Sequence, residues 1–273
     1  MASNAPIGAF DSGMGGLTVV KELMQQLPGE QIIYYGDTAR VPYGDKSKET
    51  VAGYARQITG FLVSKGVKAI IVACNTVSAL ALDDLKSEFD LPIIGVVKPG
   101  AKAAAEATRT NRIGVIATRA TIGSGIYEDF LHRTNPRIRV FAKACPLFVP
   151  LVEEGWIDDE ITDLIIHRYL DEITAEGIDS LVLGCTHYPL LKARIQQAVG
   201  DGITLVNPAF ESSREFKYVL EENGLLNDPS QGATADLSPT FYVSDGAERF
   251  RSFAARILGS PLPEENVKLH TFE

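Results

Sequence analysis

The chain has 273 residues, a net charge of −9, 45% hydrophobic and 22% charged residues, which fits one large α/β domain or two of ordinary size around a genuine core. The acidic balance argues against a nucleic-acid surface, because phosphate contacts need clustered Lys and Arg, and leaves a small anionic substrate open. The apolar run at 69–73 is far short of the roughly 20 residues that span a membrane and the start Met1-Ala2-Ser3-Asn4-Ala5-Pro6 does not read as a secretory leader, so a cytoplasmic location is expected, with three cysteines as thiols rather than bridges.

Short apolar runs alternate with longer amphipathic ones. Residues 7–10 read as a strand and 17–27 as a helix stopped by Pro28-Gly29. A second strand at 31–35 precedes a helical stretch at 49–65 that ends at Gly66. The continuous apolar run 67–73 has the character of a buried parallel strand. Residues 77–89 are again helical and 93–96 form another strand. This alternation implies a parallel sheet covered on both faces. An Ala-rich helix at 101–107 then opens what looks like a second copy. Arg112-Ile113-Gly114-Val115-Ile116-Ala117 resembles Pro6-Ile7-Gly8-Ala9-Phe10-Asp11, and the run from Ile178 to His187 resembles the run from Val67 to Thr76. Each of those later runs follows a glycine, Gly66 or Gly177, and the spacings from Ile7 to Cys74 and from Ile113 to Cys185 are 67 and 72 residues. An internal duplication follows. The tail, with a strand-like 240–243, is expected to pack back on the first half.

In open parallel sheets, ligands bind beyond the carboxyl ends of the strands. Four such ends carry polar residues: Asp11-Ser12-Gly13, Cys74-Asn75-Thr76, Ala117-Thr118 and Cys185-Thr186-His187. If the halves face each other, these ends line one crevice and the two thiols meet across it. A nucleotide is not expected. Gly13-Met14-Gly15-Gly16-Leu17-Thr18 puts Thr18 where G-x-G-x-x-G needs its last glycine, and no G-x-x-x-x-G-K-[ST] loop is present. The turn still frees backbone N–H groups at a helix start, which favours a carboxylate. No metal site is expected either, because Cys185 and His187 lack a C-x-x-C or H-x-x-x-H partner pair.

A cysteine in an apolar strand is usually inert packing, and Cys145, with no polar triplet after it, fits that description. Cys74 and Cys185 differ. Each ends an apolar run, precedes two polar residues and sits at a helix start able to stabilise a thiolate. His187 stays open between a hydrogen-bonded wall residue and an acid–base or orienting partner of Cys185. Glu153, Asp37 and Arg40 stay open between function and ordinary ion pairing, whereas Glu154 reads as solvated.

Five stretches, in order from about residue 7 to 191, resemble glutamate racemases: Phe10-Asp11-Ser12-Gly13-Met14-Gly15-Gly16-Leu17, Tyr35-Gly36-Asp37-Thr38-Ala39-Arg40-Val41-Pro42-Tyr43-Gly44, Ala73-Cys74-Asn75-Thr76, Cys145-Pro146-Leu147-Phe148-Val149-Pro150-Leu151-Val152-Glu153 and Gly184-Cys185-Thr186-His187-Tyr188-Pro189-Leu190. The resemblance implies an α/β fold of two pseudo-symmetric lobes, each a mostly parallel sheet flanked by helices, with the active site between them. The expected division is 1–98 plus 210–273 for the lobe carrying Cys74 and 99–209 for the lobe carrying Cys185. The resemblance further implies catalysis by Cys74 and Cys185, assisted by Asp11, Glu153 and His187. It implies that Asp11, Ser12, Tyr43, Gly44, Asn75, Thr76, Thr118, Thr121, Thr186 and His187 hold the substrate. It implies a homodimer, and supply of D-glutamate for peptidoglycan. One departure is visible: Val206-Asn207-Pro208-Ala209-Phe210-Glu211-Ser212-Ser213 replaces an Asp-Ser-Gly-like turn common in the family, which bears on any activator or dimer contact there.

Racemisation at Cα needs a base on one face and an acid on the other, and two thiols of ordinary pKa about 8.5 are suited to both roles. With no lysine in a Schiff-base motif, no cofactor is expected, and the charge on the carbanion must be met by N–H and hydroxyl donors in a closed crevice. The alternatives are an aspartate racemase or related isomerase of the same superfamily, or a non-catalytic amino-acid-binding or gyrase-binding regulator. An amino-acid sensor would keep the carboxylate contacts and lose one thiol; both thiols are present.

Overall fold

The computed structural model describes residues 4–227 and 237–272; residues 1–3 of the N-terminal reading, and 228–236 and 273 of the first-lobe range, lie outside the described residues. In the first lobe β1 (Ile7–Asp11), β2 (Ile32–Gly36), β3 (Ile70–Val72) and β4 (Ile93–Gly95) alternate with α1 (Leu17–Gln26), α2 (Lys48–Ser64), α3 (Asn75–Leu80) and α4 (Leu82–Glu88). After α5 (Val97–Ala107) the second lobe is built from β5 (Arg112–Ala117), β6 (Arg139–Ala144), β7 (Ser180–Gly184) and β8 (Thr204–Val206). Its helices are α6 (Arg119–Gly123), α7 (Ile126–Thr134), α8 (Phe148–Glu153), α9 (Glu160–Ala175) and α10 (Lys192–Val199). The strand orders are β2-β1-β3-β4 and β6-β5-β7-β8. The two sheets are thus wound identically, as a duplication requires.

Helix α11 (Pro208–Glu222) lies against both α1 and α5. The chain then returns to the first sheet, adding β9 (Thr240–Val243) beside β2 and β10 (Val267–Leu269) at the edge, with α12 (Ala247–Leu258) between them. Every pairing is parallel. Ile7, Val19 and Leu23 of the first lobe and Ile116, Leu181 and Leu183 of the second belong to one buried apolar cluster. The lobes therefore share a core, and their strand ends are held in a fixed relation.

Local rules account for the elements that frame the site. Ser47 caps α2 by accepting the Thr50 N–H, and Val51, Ala55, Ile58 and Leu62 fall on its buried face. Asp159 caps α9 by accepting the Ile161 N–H. The equivalent glycines, Gly66 and Gly177, both have left-handed φ, +77° and +68°, and end these helices as a residue without Cβ does at low strain. The stretch 77–89 is not one helix but two: it starts earlier, at Asn75, and breaks at Ala81, whose φ is −133°. Helix α5 starts four residues before the expected 101, because Pro99 sits in the first turn, where an N–H has no intrahelical acceptor. Strand β6 has no continuous apolar run because it is a half-exposed edge strand. No helix among the described residues is long and apolar enough to cross a membrane.

At the sheet end opposite the thiols, Lys68 and Glu30 form a buried ion pair at 2.6 Å, their side chains 0% and 2% exposed. Asn227 completes it, accepting from Lys68 Nζ at 3.0 Å and donating its backbone N–H to Glu30 at 2.8 Å. Removing one member strands a buried charge. Lys68→Met is expected to cost about 3–5 kcal/mol in urea denaturation, and adding Glu30→Leu is expected to recover most of it. Equal loss in the single and double variants would show that the charges do not act as a pair.

Candidate active site

Parallel register brings the polar strand ends together. Phe10 of β1 pairs with Val72 of β3, and Ala117 of β5 with Gly184 of β7, so Ser12 lies near Cys74 and Thr118 near Cys185. All the residues expected at the site except Asp11 and Thr121 line one cavity. Both Cys74 and Cys185 reach it, one from each lobe, and both are buried. Val41, Pro42 and Val149 complete the wall; sequence reasoning did not single these out, because an apolar wall residue carries no chemical signature. Cys145 is buried elsewhere and lines none of this cavity. An outer cavity of about 540 Å³ shares Val41, Pro42, Gly44, Thr118, Val149 and Glu153 with it.

Asp11 lies behind the wall, fully buried. Its Oδ2 accepts the backbone N–H groups of Gly13 at 3.1 Å and Gly16 at 3.0 Å. The glycine-rich turn does favour a carboxylate, but the carboxylate is the protein's own. Its Oδ1 has no hydrogen-bond partner among the described residues. Burial raises the Asp11 pKa against the opposing pull of His187 and the N–H groups. The glycines also make room: a Cβ on Gly15 would sit 2.5 Å from the His187 ring and against the Thr186 hydroxyl, and one on Gly16 would meet Asp11. The turn thus brings the Cys185 loop close, and Thr18 Oγ1 fastens it by donating to the Thr186 carbonyl at 3.0 Å.

The two sulfurs have different surroundings. Cys74 caps α3, with the Ser12 hydroxyl 3.6 Å away. Burial first, then the charge of Asp11, pushes its thiol up to about 12, although the N–H groups of Val77 and Ser12 and the Ser12 hydroxyl pull the other way. Cys185 lies 3.9 Å from His187 Nδ1, and His187 Nε2 lies 3.1 Å from Glu153 Oε1. Arg249 of α12 stands 3.6 Å from the other Glu153 oxygen. Burial alone would lower the His187 pKa, but the hydrogen bonds and charges of Cys185 and Glu153 raise it to about 10. Burial likewise opposes ionisation of Glu153, and His187 and Arg249 outweigh it, holding that carboxyl below its usual range.

Fixed donors surround the thiols. Tyr127 donates to Asn75 Oδ1 at 2.7 Å across the lobes, and the Asn75 amide N–H groups have no partner among the described residues. Thr76, Thr118 and Thr121 form a hydroxyl triangle with sides of 3.0, 3.0 and 3.4 Å; Thr121 supports the other two from behind the wall. The Tyr43 hydroxyl donates to Asp37, and Tyr43 lines the cavity beside Gly44. Its N–H and that of Gly44 have no partner among the described residues. Among the same residues, no group of three or more His, Cys, Asp or Glu side chains could hold a metal ion.

A family model described as Asp/Glu/Hydantoin racemase matches residues 13–210. The chain belongs to that family. A glutamate racemase of Geobacter metallireducens is 47% identical over 256 residues, which is 94% of this chain and 93% of that protein. The glutamate racemase of Francisella tularensis, solved in complex with D-glutamate, is 40% identical with a TM-score of 0.89 over all of this chain and 98% of its own. The RacE1 glutamate racemase isoform of Bacillus anthracis is 36% identical with a TM-score of 0.91 over the same shares. The fold of this racemase-family chain, two parallel sheets flanked by helices, is the one these structures have.

The raised pKa of His187 has a sign that can be checked. A base whose folded pKa exceeds its unfolded value adds stability that is full below about 6.5 and lost as pH rises through about 10. In NMR of histidine-labelled protein, one ring is expected to stay protonated through neutral pH and to titrate near 10. His187→Asn should remove that signal, and Glu153→Gln should move its midpoint down. A His187 ring already neutral at pH 8 would contradict the charged pair.

Proposed function

We propose that this chain interconverts L- and D-glutamate by a two-thiol, cofactor-independent mechanism. The observation that carries the reading is the convergence of Cys74 and Cys185, from equivalent strands of two identically wound lobes, on one cavity. The inequality of their surroundings supports opposite roles. Cys74, beside a buried carboxylate, is held as the thiol. Cys185 instead faces the His187–Glu153 pair, which suits it to act as the base toward L-glutamate.

With L-glutamate bound, the Cys185 thiolate takes the α-proton, the C–H electron pair stays on Cα, and Cys74 delivers its proton to the opposite face. D-glutamate runs the sequence backwards. The carbanion is delocalised into the adjoining carboxylate, whose growing negative charge needs donors already in place. Asn75 and the hydroxyls of Thr76, Thr118 and Thr186 supply them, while the backbone N–H groups of Tyr43 and Gly44 bind the distal carboxylate, whose charge does not change. The unpartnered Oδ1 of Asp11 favours the substrate ammonium near Cys74, and His187 with Glu153 steadies the charge on Cys185. Product D-glutamate would serve peptidoglycan synthesis, as the resemblance to bacterial glutamate racemases implies.

The test follows optical rotation and the α-proton NMR signal in D₂O, without added pyridoxal phosphate, nucleotide or metal. The wild type is expected to racemise glutamate in preference to aspartate. Cys185→Ala should lose racemisation by orders of magnitude and label only D-glutamate at Cα, because Cys74 can remove and return a proton on its own face alone; Cys74→Ala should label only L-glutamate. Faster turnover of aspartate would change the substrate, and either variant labelling both enantiomers equally would sink the two-thiol scheme.

Gly15→Ala is expected to lower kcat/KM about a hundredfold, since a shift of about 1 Å in a catalytic group costs that much. Gly29→Ala, where a Cβ would meet nothing within 4 Å, should leave it unchanged. Equal rates for the two variants would show that the Gly15 contact does not position His187.

A further inference from the structure

Asp37 follows β2 and is fully buried. Three side chains donate to its carboxylate: Arg40 Nε at 2.6 Å and the Tyr43 hydroxyl to Oδ2, and the Ser244 hydroxyl at 2.8 Å to Oδ1. Ser244 lies just past β9, in the tail that returns to this lobe, and also accepts the Ala39 N–H at 2.8 Å. Beside it, the Thr38 hydroxyl donates to the Asp245 carbonyl at 2.5 Å and accepts the Asp245 N–H at 2.9 Å. The Arg40 guanidinium lies over the rings of Tyr54 and Phe272, 4.0 and 5.1 Å from their centroids. An ordinary loop ion pair is exposed and local. This one is buried and recruits residues from the far end of the chain.

Between these anchors run Val41, Pro42, Tyr43 and Gly44, which wall the cavity. Burial and Asp37 raise the Tyr43 pKa well above the usual range, so it remains a phenol and a donor. Tyr43 and Gly44 both line the cavity, the Tyr43 hydroxyl is tied to Asp37, and the N–H groups of residues 43 and 44 have no partner among the described residues.

We propose that Asp37 is a positioning residue for substrate binding, which through the Tyr43 hydroxyl fixes the backbone donors of residues 43 and 44 where a substrate carboxylate docks. The tail contributes to the same site through Ser244. The inference rests on the reading of the cavity as the glutamate site. It adds that affinity depends on a buried cluster the substrate never touches. A donor displaced from both enantiomers alike removes binding that is uniform between ground and transition state, which raises KM and leaves kcat nearly unchanged.

The experiment measures kcat and KM in both directions for wild type, Tyr43→Phe, Ser244→Ala, Asp37→Asn and the double variant Tyr43→Phe/Asp37→Asn. Loss of a hydrogen bond to a charged group predicts a KM rise of roughly tenfold or more for L- and D-glutamate in Tyr43→Phe, a smaller rise in Ser244→Ala, and kcat within about twofold in both. Because the two residues act as one unit, Asp37→Asn should add little in the Tyr43→Phe background. Partial unfolding lowers the apparent kcat and leaves KM alone, so the split separates positioning from loss of structure. Tyr43→Phe and Ser244→Ala remove single oxygen atoms and decide the matter even where Asp37→Asn does not fold. Unchanged KM in Tyr43→Phe, a fall in kcat alone, or fully additive effects would overturn the proposal. A wild type that does not racemise glutamate would instead overturn the reading of the site on which it rests.

Discussion

A parallel sheet delivers the carboxyl end of every strand to one edge, and two such edges set face to face enclose a crevice. The rest of this molecule depends on that constraint. Asp11 and Cys74 come from adjacent strands of one sheet, Thr118 and Cys185 from adjacent strands of the other, and no long loop is needed to bring them together. The shared apolar cluster keeps the two edges in register. The crevice is narrow and its walls are buried, so the dipoles that line it act in a poorly screened medium.

Within that frame, polar groups of the protein are turned on one another more than on the space they surround. The glycine-rich turn spends two N–H groups on Asp11, Tyr43 gives its hydroxyl to Asp37, and Asn75 gives its carbonyl oxygen to Tyr127. What remains for a ligand is a small set of donors whose directions are set in advance. Preorganisation of this kind lets a site meet developing charge without rearranging.

Much of this was legible in the sequence. The central strands announce themselves as continuous apolar runs because they are buried on both faces, and the matched glycines 66 and 177 mark a repeat because each needs a left-handed φ. The positions of Cys74 and Cys185 follow from those runs. The resemblance to glutamate racemases supplied what spacing could not, above all Glu153 and Tyr43. Other features were hidden for physical reasons. Ala81 breaks a helix although alanine is an excellent helix former, because packing overrides propensity there. Strand β6 at its sheet edge has no fully buried residue. Tyr127, Thr18 and Ser244 act through hydrogen bonds across a lobe interface or from a distant turn, and a hydroxyl group has no sequence pattern that reveals its partner.

The common strand order of the two sheets carries a consequence about handedness. Mirror-image substrates offer their hydrogens from opposite sides, and two lobes of the same winding bring one sulfur each to a single cavity, so a duplicated scaffold suits the proposed reaction, whose product is the reflection of its substrate. The side chains break that repeat: Ala117 stands where the other lobe has Asp11, and Thr76 where the other has His187. Free enantiomers have equal energies in water, so the equilibrium constant is one and kcat/KM must be identical in the two directions. The inequality between the sulfurs can then be expressed only in the partition of that common ratio, as tighter capture of one hand set against faster turnover of the other.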